Sequence, residues 1–219
     1  MFDHLNTDNA EEMIEQVLKD WRPDYVHAQF SDKLHPEWVV EMKRKYPAIW
    51  TQWAGDARRE PIPLVVAFGK VVDATLLASG EGQKELYEQA TGKPVFWWQH
   101  AVADWQIVTP SEQSGLTMVA NHYDTREFDT ERWDTAERFS REFPDFRAYG
   151  SGWDTRVNWQ GAVSWAEQTN IYRSSLITLG PNVLNDIRWY FSDRPLIAMA
   201  TGVPHLWRYI PGLEELFEC

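Results

Sequence analysis

Residues 48–100 read AIWTQWAGDARREPIPLVVAFGKVVDATLLASGEGQKELYEQATGKPVFWWQH, and the punctuation of this stretch decides the fold. AIWTQW (48–53) is a short β-prone run that empties into Ala54, Gly55 and Asp56, and a helix is expected over 62–69. DATLLAS (73–79) is strand-like again. Gly80, Glu81 and Gly82 then lead into the helix QKELYEQATG (83–92), which Gly92 stops, and PVFWWQ (94–99) forms a further strand ending at His100. Strand, small polar loop, helix and strand at this spacing spell βαβ units, which require a parallel sheet covered by helices.

The rhythm extends in both directions. Upstream, Met13, Ile14, Val17 and Leu18 recur at helical spacing behind Asn9 as a cap, Pro23 ends that helix, and DYVHAQF (24–30) reads as a strand. Ser31 and Asp32 follow it, and a helix is expected over 36–45. Downstream, periodicity lapses over 101–115, where Pro110, Ser111 and Ser114 predict a linker, set at 109–115. Alternation then resumes: LTMVA (116–120) as strand, 129–143 as helix, FRAYG (146–150) as strand, 165–174 as helix and LITLG (176–180) as strand. The reading is therefore two α/β domains, 1–108 and 116–219, facing a cleft.

The stretch 185–202, NDIRWYFSDRPLIAMATG, delivers one more helix. Ser192 and Asp193 are N-cap types, Pro195 suits the first turn and Gly202 is a natural stop. A helix start presents unpaired backbone N–H groups to an anion, and Arg194 adds a formal cation beside them. In open α/β sheets ligands bind beyond the carboxyl ends of the strands. There the chain clusters small polar residues and glycines, among them Asp56, His100, Asn121, Gly150 and the Gly180-Pro181-Asn182 run.

Composition narrows the function. At 219 residues the chain can bury a core in each of two domains. A net charge of −12 and a pI near 4.9 argue against a broad nucleic-acid footprint, and Lys43 to Lys45 and Arg58 with Arg59 read as solvated faces. The first residues are acidic where a signal peptide needs a basic start, no stretch approaches about 20 apolar residues, and Cys219 is the single cysteine. A cytoplasmic protein without membrane attachment is expected. Thirteen Trp exceed what a core needs and favour a site for sugars or bases. His122 with Asn121 and Asp124 lacks metal-ligand spacing, and the chain carries no P-loop, G-x-S-x-G or C-x-x-C motif.

PDYVHAQFSD, TQWAGDAR, AYGSGW, the helix of Glu167 to Tyr172 and SDRPLIAMATGVPHLWRYIPGLEELF, in this order, resemble glycosyltransferases of the GT-B superfamily. The resemblance is to the family 1/4-like proteins, in particular the CgeB-like branch of bacteria and phages. It implies two Rossmann-like domains facing a cleft, with a nucleotide-sugar donor on the second and an acceptor on the first. It places Gly150, Gly152, Trp153, Tyr172, Ser192, Asp193 and Arg194 at the donor. The Glu expected in the last helix is replaced in the run Leu196, Ile197, Ala198, with Asp193 as a candidate substitute. The family's first glycine-rich strand and its closing strands and helices fall outside the chain. That implies a truncated or compact form whose open sheet edges favour a homo-oligomer or a partner segment.

Glycosyl transfer needs stabilisation of the leaving diphosphate and deprotonation of an acceptor hydroxyl. Arg194 and the backbone beside it suit the first task, so the expected mechanism is metal-independent, with no cofactor beyond the nucleotide-sugar co-substrate. For the base, Asp56 comes first, with His100 and His27 behind it; Asp32, Trp53 and Arg58 are acceptor-side candidates. Asp56 serves equally well to turn the chain and cap a helix, and His27 within a strand suits packing. The alternatives are a noncatalytic, oligomerising nucleotide- or nucleotide-sugar-binding module, a phage-type DNA-base glycosyltransferase, or a sugar-nucleotide epimerase.

Overall fold

The computed structural model describes residues 9–29, 33–123 and 130–217, which form two compact units. The first comprises 1–99 with 187–190, the second 100–186 with 191–219.

The first unit runs α1 (Ala10–Trp21), β1 (Tyr25–Ala28), α2 (Pro36–Lys45), β2 (Ile49–Ala54), α3 (Pro63–Gly69), β3 (Ala74–Leu77), α4 (Gln83–Thr91) and β4 (Val95–Trp97). The strands pair in parallel in the order β1-β2-β3-β4, with Thr51 opposite both His27 and Ala74. Parallel neighbours need a crossover, and each expected helix supplies one. Trp50, Val39, Met42, Phe68 and Val72 are buried together beneath it. Asp73 ties the sheet to α2, accepting from Trp50 N at 2.8 Å and pairing with Lys43 Nζ at 2.7 Å.

The second unit runs β5 (Leu116–Val119), α5 (Thr130–Glu142), β6 (Arg147–Tyr149), α6 (Trp165–Arg173), β7 (Ile177–Leu179), α7 (Arg194–Ala200) and β8 (His205–Leu206). Its sheet is also parallel, but the order is β6-β5-β7-β8. The chain leaves β5 for β6 on one side, then crosses to place β7 on the other. Strand order thus reverses between β5 and β7, whereas no reversal occurs among the described strands of the first sheet.

The expected elements are present within a residue or two at each end; β8, two residues long, is the strand that periodicity could not announce. The caps differ. Asn9 and Asp193 stand at N-cap positions without a side-chain bond, because Asp193 has helical angles (φ −64, ψ −23) and Asn9 lies outside the extended region (φ −116, ψ 31). The side-chain cap is Ser164, whose Oγ accepts from Glu167 N while Glu167 Oε2 accepts from Ser164 N at 2.8 Å. Gly202 ends α7 as expected, at φ +70, its N–H donating to Met199 O.

Backbone geometry makes Gly150 indispensable. It lies at φ +121, and a Cβ there would stand 2.1 Å from Ala120 O. Gly150→Ala is expected to cost more than about 2 kcal/mol, read as a fall of several degrees in the melting temperature. An unchanged transition would contradict this packing.

His205 gives β8 a pH signature. Thr178 Oγ1 donates to Pro204 O, so it accepts from His205 Nδ1 at 2.7 Å, and the imidazole is the Nδ1–H tautomer. Burial, and then the nearby Arg194 charge, push its pKa down to about 3. An unfolded histidine protonates near 6.5, so between about pH 6.5 and pH 3 the unfolded chain holds the extra proton. Stability is full above that range and falls as pH drops, by at most about 1.4 kcal/mol per unit. His205→Leu should flatten the fall between pH 6 and pH 4 in denaturant titrations; an identical slope in the variant would refute the assignment.

Candidate functional site

The strand order reverses between β5 and β7, and the carboxyl ends of strands at such a reversal are where sheets of this kind take their ligands. The loops at this end bind each other. Asn121, after β5, accepts from Ser151 N through Oδ1 at 2.9 Å, and His122 N donates to Ser151 O at 2.8 Å. Gly152 sits at φ +85, where a Cβ would meet His122 O at 2.3 Å. Trp153 donates from Nε1 to Ala120 O at 2.8 Å, and its buried ring stacks on His122 and Trp133. Tyr172 is fully buried, accepts from Gln168 Nε2 at 3.2 Å, and has its pKa raised by that burial. Gly150, Gly152, Trp153 and Tyr172 therefore lie in the framework at this end of the sheet.

The loop after β7 brings the charged part. Arg194 donates from Nε to Ser192 Oγ at 3.0 Å and reaches Pro181 O from Nη2 at 3.5 Å. Ser192 N in turn donates to Asn182 Oδ1 at 3.4 Å. Gly180 lies beside His205, since a Cβ on it would meet His205 Nε2 at 2.6 Å and Arg194 Nε at 3.9 Å. Ser192 and Arg194 thus converge with Asn182 and His205. Asp193 points elsewhere, its Oδ2 3.5 Å from Trp165 Nε1. The exposed Trp165 ring meets Trp105 edge to face at 5.1 Å. Ile197, in the helix where a Glu was expected, is fully buried with Val119 and Tyr172.

Two of these residues escaped sequence reasoning. His205 lies in a strand too short for a pattern, and Asn182 was legible only as a small polar residue at a strand end.

The first unit has its own pocket, of about 130 Å³, at the carboxyl ends of β1 and β2. Gln29, Gln52, Trp53, Gly55 and Asp56 line it with α3 residues. Asp56 is well exposed, with Arg58 Nη2 4.0 Å away, so the expected residues Asp56, Trp53 and Arg58 do cluster. His27 is exposed on β1, bonded through Nδ1 to Thr51 Oγ1 at 2.8 Å and stacked on Tyr25, with its pKa lowered by partial desolvation. His100 follows β4 and clusters with the second unit. Asp32 lies outside the described residues. Among the described residues no three His, Cys, Asp or Glu side chains gather to hold a metal, and no helix is long and apolar enough to cross a membrane.

Residues 126–219 match the family described as Glycosyl transferase-like, a span that contains Arg194, Asn182 and His205. No curated protein matches the chain by sequence. Among solved structures, Alr3699/HepE from Anabaena, in complex with UDP-glucose, aligns over 95% of this chain at TM-score 0.65 and 10% identity. A glycosyltransferase from Rickettsia africae aligns over 100% at 0.59 and 11%, and a UDP-forming trehalose-phosphate synthase from Burkholderia vietnamiensis over 91% at 0.55 and 12%. The chain spans 65%, 67% and 61% of those three chains. With its two parallel four-stranded sheets, the chain shares the GT-B fold of these solved structures, and residues 126–219 are similar to the Glycosyl transferase-like family.

Proposed function

We propose that this chain takes part in glycosyl transfer from a nucleotide-sugar, its second unit holding the donor with the diphosphate at Arg194. One observation carries the reading: the half-buried guanidinium stands at the loop beside the strand-order reversal, with two of its donors spent on Ser192 Oγ and Pro181 O. Its remaining N–H groups have no partner among the described residues. A cation fixed by neutral neighbours is suited to charge that develops on a leaving diphosphate. The UDP-glucose bound by the Anabaena protein makes a uridine nucleotide the first ligand to test.

In this reading the first unit supplies the acceptor side. Asp56 takes the acceptor proton, and the pocket beside it, with the Trp53 ring and the Gln52 amide, receives the acceptor. His100 is the second candidate for the base. No cofactor beyond the co-substrate is invoked.

Ile197 favours a second reading, a module that binds the nucleotide-sugar without turnover. Ile197 is buried in the run Leu196, Ile197, Ala198 that replaces the expected Glu, and no residue of that run offers a carboxylate to a ribose or sugar.

Thermal unfolding against UDP, GDP, TDP and ADP and their sugars tests the donor site. A ligand at about 100 times its Kd should add about 2.7 kcal/mol, a shift of a few degrees, and Arg194→Ala should abolish it. No shift with any of them sinks the proposal. Release of free nucleotide from the sugar donor, lost in Asp56→Asn with the thermal shift retained, separates the enzyme from the binding module.

A further inference from the structure

The loop after β7 holds a polar side chain that nothing yet described employs. Asn182 is only 4% exposed, and its Oδ1 is satisfied by Ser192 N. Its Nδ2, on the same amide, is buried without a hydrogen-bond partner among the described residues. Buried amide donors are almost always paired, so an orphan of this kind marks a place where a partner arrives. The neighbours say which partner. Ser192, bonded to Asn182, also accepts from Arg194 Nε, so the amide and the guanidinium meet through one residue. The unused atoms of both groups can only donate, and what takes several N–H donors at once is an oxyanion. Two further unpaired atoms in this region are acceptors and offer a phosphate nothing: Asn185 Oδ1, and His205 Nε2 in the tautomer fixed by Thr178.

We propose that Asn182 is a ligand-binding residue, its Nδ2 donating with Arg194 to the oxygens of a diphosphate group. The proposal rests on the reading that the Arg194 loop faces the donor's diphosphate, but it does not require sugar transfer. Asn182 then distinguishes nucleoside diphosphates from nucleosides. Its Oδ1 bond to Ser192 N holds the loop, and Nδ2 is left to bind the anion.

The test uses the whole chain and inorganic pyrophosphate, alongside UDP and uridine. The side-chain NH2 pair of Asn182 is followed by ¹⁵N NMR in the wild type and assigned by its disappearance in Asn182→Asp. That variant keeps the acceptor for Ser192 N and replaces the donor with a carboxylate oxygen. The expected result is that pyrophosphate and UDP move the Asn182 pair, and that Asn182→Asp weakens both by at least about tenfold, as does Arg194→Ala. Uridine should leave the pair in place. Pyrophosphate that binds without moving the pair, or no binding at all by the wild type, overturns the proposal. The wild-type spectrum decides even if the variant does not fold. Pyrophosphate binding at this pair without any nucleotide-sugar turnover would sink the glycosyl-transfer reading and leave this one standing.

Discussion

The second unit depends on how closely two backbones can approach. The loop after β6 lies against the end of β5 with the Ala120 and His122 carbonyls where side chains of residues 150 and 152 would otherwise stand. Glycine at both positions, each in the left-handed half of conformational space, permits the contact. Once the loops meet, Asn121, Ser151 and Trp153 hydrogen-bond across the seam, and the Trp153 ring closes the core beneath it. The loops after β5 and β6 are therefore joined to each other at the strand ends.

The β7 side is organised around charge. Arg194 is surrounded by groups that stay neutral: Tyr172, whose ionisation is suppressed by burial, His205, which titrates only near pH 3, and the Ser192 hydroxyl. The nearest carboxylate in sequence, Asp193, faces Trp165. Arg194 forms no ion pair among the described residues; its bonds go to the Ser192 hydroxyl and the Pro181 carbonyl. Ile197 belongs to the same arrangement, since an apolar residue there seals α7 onto Val119 and Tyr172 without adding a negative charge.

The first unit solves a different problem with the same architecture. Its described strands follow in sequence order, without a reversal, and the pocket forms where β2 runs out into Gly55 and Asp56 beside α3. Thr51 anchors the edge strand through Tyr25 and His27, which accounts for His27 by packing and pairing. Asp56 stands exposed at the open end, with Arg58 Nη2 4.0 Å away.

The sequence by itself determined the class of fold: alternating β-prone runs and helical segments, with glycines and prolines between them, leave a parallel α/β sheet as the consistent solution. It also marked the strand ends, because loops that meet a ligand or another loop need small residues, and so it picked out Asp56, Gly150 and Gly152. Only the tertiary structure decided the strand order β6-β5-β7-β8, and with it where that order reverses. Local periodicity carries no information on which side of β5 a later strand will pair. For the same reason the caps, the two-residue β8, the neutral His205 and the unpaired amide of Asn182 were beyond sequence. Each is a property of what residues far apart in the chain place next to one another, as Thr178, Pro204 and Arg194 do for His205, and of how much water they exclude.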